Sequence, residues 1–255
     1  MKTLKDQHII ITGGGSGIGA ATAKYLSQSG AKLSLWDMNE DTAAALAAEI
    51  GAHSAACDVT DGGSVEDALT SSIEKFGGPR VLINCAGILI GKRLAGKEGS
   101  ADLEHFTKVL QVNLTGTYNT MRLVAGEMIK LDPQTESGER GVIINTASIA
   151  AFEGQIGQMA YAASKGGVVS MTLPAARELG KFGIRVMTIA PGAVSTPMMD
   201  IVPDHYREAI EAGVPFPSRF AQSEEYASLA KHIIENEYLN GETIRLDGAA
   251  RLQPK

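Results

Sequence analysis

The chain has 255 residues, 44% hydrophobic and 20% charged, enough for one large α/β domain with a full core. A formal charge of -6 argues against a partner such as nucleic acid or an anionic membrane surface. Cys57 and Cys85 match no zinc or disulfide spacing and point to a reducing, cytoplasmic setting, and the scattered histidines give no reason to expect a metal.

The N-terminal MKTLKDQHIIITGG runs straight into an apolar strand, without the pattern of a signal or transit peptide. After that strand comes Thr12-Gly13-Gly14-Gly15-Ser16-Gly17-Ile18-Gly19-Ala20, leading into the Ala-rich GIGAATAKYLSQSG. Glycines at a strand-to-helix turn let the backbone approach a pyrophosphate at the helix N-terminus, where free N–H groups and the helix dipole favour anions. Gly13, Ser16, Gly17, Ile18 and Gly19 are therefore expected to bind a dinucleotide. The second strand, AKLSLWD, ends in Asp37, eighteen residues after Gly19. A carboxylate there accepts hydrogen bonds from both ribose hydroxyls and repels a 2′-phosphate. The turn offers no basic residue to such a phosphate, so the expected cofactor is NAD, not NADP.

The third strand lies in HSAACDV. Asp58 and Val59 follow it, placed to hold an adenine through side chain and backbone respectively, or, for Asp58, to cap the next helix. The fourth strand, RVLINCAG, ends in Asn84, Cys85, Ala86 and Gly87, small enough for a cofactor to lie against the backbone. Residues 90–102 (IGKRLAGKEGSAD) break the rhythm and bring Lys92, Arg93 and Lys97, either solvated or a landing point for ligand phosphates. Asn113 is polar within a helix otherwise patterned as buried. It is expected either to disturb the helix and hold a water of a proton relay, or to make a helix–helix hydrogen bond. Residues 131–140 (LDPQTESGER) read as a surface turn.

GVIINTAS is the fifth strand, with Ser148 at its carboxyl end; thirteen residues later begins Tyr161-Ala-Ala-Ser-Lys165. On a helix that spacing puts phenol and ammonium on one face. Lowering a phenol from about 10 toward 7 takes roughly 4 kcal/mol. The adjacent ammonium and a positive nicotinamide both favour phenolate and together are expected to supply it. The phenolate then takes the proton of a secondary alcohol while hydride leaves for the nicotinamide, and Ser148 holds the substrate oxygen. Lys165 is also placed to reach the nicotinamide ribose. The sixth strand, IRVMTIAPG, leads into a rigid turn in which Pro191, Val194 and Thr196 face the carboxamide. The span from Ser195 to Gln222 is long for a bland loop and is expected to cover substrate, with Met198, Met199, Ile201 and Val202 as an adaptable apolar patch. ETIRLDG is the seventh strand.

Seven short strands alternating with amphipathic helices predict a single-domain α/β Rossmann-type doubly wound parallel sheet over residues 1–255, with ligands at the carboxyl ends of the strands. TGGGSGIG, NCAG, Asn113, Ser148, YAASK and PGAVSTP, in that order, resemble the short-chain dehydrogenase/reductase family over essentially the whole chain. The resemblance implies a catalytic set of Ser148, Tyr161, Lys165 and Asn113, strand order 3-2-1-4-5-6-7 and a homotetramer. Cys85 departs from the family's usual Asn-Asn-Ala-Gly.

Within the family, RGVIINTASIAAFEGQIGQMAYAASKGG, GIRVMTIAPG, VPFPSRF and NGETIRLDGA are similar to the 3-hydroxyacyl-CoA dehydrogenase branch. That implies NAD-linked interconversion of 3-hydroxyacyl-CoA and 3-ketoacyl-CoA, short-chain or 2-methyl-branched, as in fatty acid and branched-chain amino acid metabolism. Gln155 and Gln158 would then face substrate, unless they only satisfy their own loop. A dehydrogenase of steroids or other secondary alcohols shares every catalytic residue and is the alternative. A non-catalytic NAD-binding scaffold fits poorly with an intact Ser148, Tyr161 and Lys165.

Overall fold

An uninterrupted apolar run such as His8–Thr12 has no wet face, and the structure covers both of its sides. The computed structural model describes residues 3–97, 99–200 and 204–254, with the backbone alone for Met198, Asp200 and residues 204–206. The central sheet contains β1 (His8–Thr12), β2 (Lys32–Asp37), β3 (His53–Ala56), β4 (Val81–Asn84), β5 (Gly141–Thr146), β6 (Ile184–Pro191) and β7 (Thr243–Leu246). All pairings are parallel, in the order 3-2-1-4-5-6-7.

Alternate residues along each strand feed two separate cores. Ile9, Ile11, Leu33, Leu35, Ile83 and Ile144 pack under α1 (Gly17–Ser27), α2 (Glu40–Ile50) and α9 (Ser223–Glu235). Ile10, Leu82, Ile143 and Val186 pack on the other face under α3 (Gly62–Phe76), α5 (Gly116–Ile129) and α6 (Met159–Gly180). At about 25 cal/mol per Å² of apolar surface buried, these two layers are the main stabilising force. Chain direction across the sheet reverses between β1 and β4, and ligands of such sheets bind outside the carboxyl ends of the strands at that point. The Gly-rich turn follows β1 and the NCAG segment follows β4, so both flank it. Among the described residues no helix is long and apolar enough to cross a membrane.

Two segments carry more structure than their sequence reading gave them. Residues 131–140 do turn at the surface, but the turn ends in Glu139, 5% exposed and paired with Arg185 of β6 at 2.8 Å. Arg185 also donates to the carbonyls of Ile233, Ile234 and Leu239, closing the carboxyl end of α9. A charged run that looked solvated therefore supplies one half of a buried ion pair. The span from Ser195 to Gln222 is a folded excursion, carrying the short α7 (Pro197–Asp200) and α8 (Asp204–Ala212). Its ends are joined where Ser195 N donates to Ala221 O and Ala221 N to Ala193 O, both at 2.9 Å. Ile201, Val202 and the Met198 side chain, named for an apolar patch there, lie outside the described residues.

Candidate active site

The Gly-rich turn is built for close approach of the backbone. A Cβ on Gly19 would lie 2.1 Å from the Gly13 carbonyl oxygen, and one on Gly13 would lie 2.8 Å from the Ala86 amide, so this crossing requires glycine. Ser16 stands at the N-cap of α1 in extended backbone, but its hydroxyl caps no helix N–H, and the first turn carries no acidic residue. No cap side chain therefore takes up the amides of that turn, the condition under which a helix end can hold an anion. Across from Gly17, whose φ is +50°, stands the Thr196 side chain of the segment after β6, 3.8 Å from where a Cβ would lie. Ile18 anchors α1 to the first core. Asp37 holds the turn from beside it: Oδ2 accepts from Gly15 N at 2.9 Å and Oδ1 from Asn39 N at 2.9 Å.

The wall after β4 is fixed by residues that the sequence did not single out. Thr12 Oγ1 accepts from the amides of both Cys85 and Ala86 at 3.2 Å. The Asn84 side chain turns inward, donating to Asn145 Oδ1 at 2.9 Å and accepting from Thr120 at 2.8 Å, so it braces the wall from behind. Burial pushes the Cys85 thiol up to about 11, as suits a packing residue. Asp58 Oδ1 accepts from Thr60 N and Thr60 Oγ1, an Asx turn, while Asp61 caps α3. The Val59 carbonyl is held by Asn119 Nδ2 at 2.9 Å. After β6, Pro191 ends the strand and Val194 is buried, bridged to Ala221.

Asn113 lies at the middle of a π-helical turn, Gln111–Thr115, between α4 (Leu103–Leu110) and α5, and is fully buried. Its Oδ1 accepts from Ile88 N at 2.8 Å, while its Nδ2 donates to Ile88 O at 2.9 Å and to Ser164 Oγ at 3.1 Å. The helix–helix bond expected as one alternative is present, and the local disturbance of the helix is present as well. A Cβ on Gly87 would stand 3.2 Å from Asn113 Oδ1 and 3.5 Å from Lys165 Nζ, so a bare backbone here lets the three groups converge.

Tyr161 and Lys165 share one face of α6, with Nζ 5.8 Å from the ring centre. Lys165 donates to the Thr146 carbonyl at 2.8 Å and is 4% exposed, and burial lowers its ammonium to about 8. Ser148 at the end of β5 starts a short 3₁₀ turn, its Oγ accepting from Ala150 N at 3.1 Å. Burial raises the Tyr161 phenol above its ordinary value, and a hydrogen bond with Ser148 pulls it the other way. In the chain alone burial is the larger effect on the phenol; the lowering expected above needs Lys165 and a positive nicotinamide together.

On the substrate side, Gln155 and Gln158 bond mainly to each other: Gln158 Nε2 donates to Gln155 Oε1 and Gln155 N to Gln158 Oε1, both at 3.2 Å. Gln155 Nε2 also donates to Gln253 O. Both glutamines line a cavity of about 380 Å³ together with Lys92, Arg93, Leu94, Ile156 and Met159. Of the three cations of the 90–102 segment, Lys92 is paired with Asp102, Arg93 stands exposed on the cavity wall, and Lys97 is exposed in the small hairpin of Ala95–Gly96 and Gly99–Ser100. Thr12, Asn119, Thr146 and Ser164 all hold site groups and went unread, because a small hydroxyl or amide inside a strand or helix carries no spacing signal.

The sequence pattern of the family described as short chain dehydrogenase matches residues 7–207. The 3-hydroxyacyl-CoA dehydrogenase type-2 of Bos taurus is 51% identical over 257 residues, 99% of this chain and 98% of that protein. The crystal structure of 3-hydroxyacyl-CoA dehydrogenase type-2 from Mycobacterium avium superposes with a TM-score of 0.92 at 41% identity, covering 98% of this chain and 97% of that one. A 7α-hydroxysteroid dehydrogenase complexed with NADH and 7-oxo glycochenodeoxycholic acid superposes with a TM-score of 0.90 at 26% identity, covering 99% and 97%.

Proposed function

Because this chain belongs to the short-chain dehydrogenase family, we propose that it interconverts 3-hydroxyacyl-CoA and 3-ketoacyl-CoA, short-chain or 2-methyl-branched, with NAD. The observation that carries the reaction is the meeting of Ser148, Tyr161 and Lys165 beside a glycine turn whose helix amides are uncapped. The bare backbone of the Gly-rich turn, the Asp37 carboxylate at the end of β2 and the Thr196 side chain facing the turn fit a dinucleotide. When bound, NAD supplies the carbon that accepts hydride from the alcohol. Tyr161 then moves the proton at its phenol oxygen: it takes the hydroxyl proton in oxidation and returns it to the nascent alkoxide in reduction. Ser148 donates to the same substrate oxygen, and Lys165 keeps a positive charge beside the phenol while held by Thr146.

The acyl-CoA assignment is supported by the relatives named above and by Arg93 and Lys92 on the rim of the cavity beside Gln155 and Gln158. Exposed Leu103, Tyr118 and Leu173 on α4, α5 and α6 favour association, read here as a homotetramer. Two free thiols suit a reducing, cytoplasmic compartment. NADH consumption with acetoacetyl-CoA, beside a panel of ketosteroids and simple ketones, tests the substrate. Turnover of free ketones with none of the thioester would favour the second reading, a dehydrogenase of steroids or other secondary alcohols, for which the likeness to the 7α-hydroxysteroid enzyme speaks.

A further inference from the structure

Between the end of β5 and the start of α6 the chain has only the turn Ile149–Ala151, followed by an irregular loop at 152–158 that carries Gln155 and Gln158. Ordering such a loop costs about 1–2 kcal/mol of backbone entropy per residue, so its shape must be imposed by contacts outside it. Most of those contacts come from the last ten residues described. Arg245 of β7 makes a bidentate pair with Glu153, Nη1 to Oε1 at 2.7 Å and Nη2 to Oε2 at 2.9 Å. The same guanidinium lies 5.1 Å from the centre of the Phe152 ring and is held from behind by Asp247, 8% exposed, through Nε at 2.7 Å. Arg251 closes the cluster, 3.3 Å from Asp247 and 3.5 Å from Glu153, so two cations balance two carboxylates.

Beyond the cluster the tail runs along the loop. Ile156 N donates to Pro254 O at 3.0 Å, and Gln155 Nε2 donates to Gln253 O at 3.0 Å. On the loop's other side Lys92 N donates to Gly157 O at 2.8 Å. The loop is thus clasped between the basic segment and the tail, and it has one charged anchor, Glu153.

We propose that Arg245 is a positioning residue for the substrate side of the cleft, acting through Glu153, with the tail at Gln253 and Pro254 completing the clasp. It touches neither substrate nor cofactor. The inference rests on the proposed function only for the identity of the substrate; the clasp itself concerns the loop. Its signature is a loss of substrate binding with NADH affinity kept. Among the described residues no hydrogen bond or ion pair joins the cluster to the Gly-rich turn or Asp37, and its one approach to the turn after β6 is Asp247 against Gly192, which neither substitution alters.

The test compares the full chain with Arg245→Met, Glu153→Gln, their double variant and a chain ending at Leu252. The expected result is a KM for acetoacetyl-CoA raised about tenfold, with kcat and NADH affinity changed less than about threefold. The double variant should be no worse than either single one. Hydrogen exchange across 152–158, which needs no substrate, should quicken in all four. If the unaltered chain turns over a free ketone but not the thioester, the acyl-CoA reading fails, and the clasp is judged by KM for that ketone. Unchanged exchange in 152–158, or an unchanged KM with only a lower melting temperature, would overturn the proposal. So would additive losses in the double variant.

Discussion

Lys165 holds its ammonium 5.8 Å from the centre of the Tyr161 ring while donating to the Thr146 carbonyl, so the lysine faces the phenol without bonding it. Burial acts on the two groups in opposite directions, raising the phenol and lowering the ammonium, and each shift favours a neutral pair. In the chain alone the protonated phenol is therefore the favoured form. Oxidation needs the phenolate, which a positive nicotinamide favours.

Tyr161→Phe keeps the ring and removes the proton. Turnover in either direction should fall by about a thousandfold or more, within the range of general acid–base catalysis. NADH binding, followed by its fluorescence, should change less than threefold. Full activity in this variant would refute the assignment of Tyr161.

Lys165→Met should abolish turnover yet stabilise the chain. The Lys165 ammonium is lowered from 10.5 to about 8, a difference of about 3 kcal/mol against the folded state at neutral pH. The sign follows from proton binding: between pH 8 and 10.5 the unfolded chain holds the extra proton, so stability rises with pH across that window and the penalty is fully present below it. Methionine removes the buried charge but leaves the Thr146 carbonyl without its donor, which costs about 1 kcal/mol in return. A net gain of about 2 kcal/mol at pH 7 is expected in urea unfolding of the cofactor-free protein.

How much of this was legible depended on whether the signal was local. The strands announced themselves because runs such as HIIIT and VIIN are buried on both faces, and the strand order followed once the family resemblance was drawn. Asn113 was legible because a polar residue stood in a buried pattern, and the chain answers it with a π turn. The burial that raises the phenol in the chain alone was not legible, because sequence spacing shows the ammonium but not the desolvation. The burial of Glu139 went unread because its partner, Arg185, lies 46 residues away. The Arg245–Glu153 pair spans 92 residues, and nothing in either segment names the other.

Asp37 has two tasks that a single substitution can separate. Its charge opposes a 2′-phosphate, while Oδ2 and Oδ1 hold the amides of Gly15 and Asn39. The unaltered chain should prefer NADH over NADPH by about a hundredfold in kcat/KM. Asp37→Asn removes the charge and keeps one of the two acceptors, so NADPH use should rise about tenfold while the lost bond to one amide lowers stability by about 1 kcal/mol. Equal use of both cofactors by the unaltered chain would contradict the role of Asp37.

His8, at the opposite end of the sheet, is expected to make stability fall in acid. It is 2% exposed; Nδ1 lies 2.6 Å from the Gly77 carbonyl and Nε2 2.9 Å from Ser34 Oγ. The tautomer that satisfies both partners is neutral, with the proton on Nδ1 and Ser34 donating to Nε2. Burial lowers its pKa from 6.5 to about 4, with His53 and Lys32 adding repulsion. A lowered histidine is neutral in the folded chain and charged in the unfolded one between those values, so the unfolded chain binds more protons there. Stability is therefore fully present above pH 6.5 and falls by about 3 kcal/mol as the pH drops toward 4. Urea unfolding at pH 7, 5.5 and 4.5 checks this. His8→Gln, which keeps polar atoms but does not titrate, should lose a little stability at pH 7 and flatten the decline below it. A decline equally steep in His8→Gln would assign the acid sensitivity to other groups.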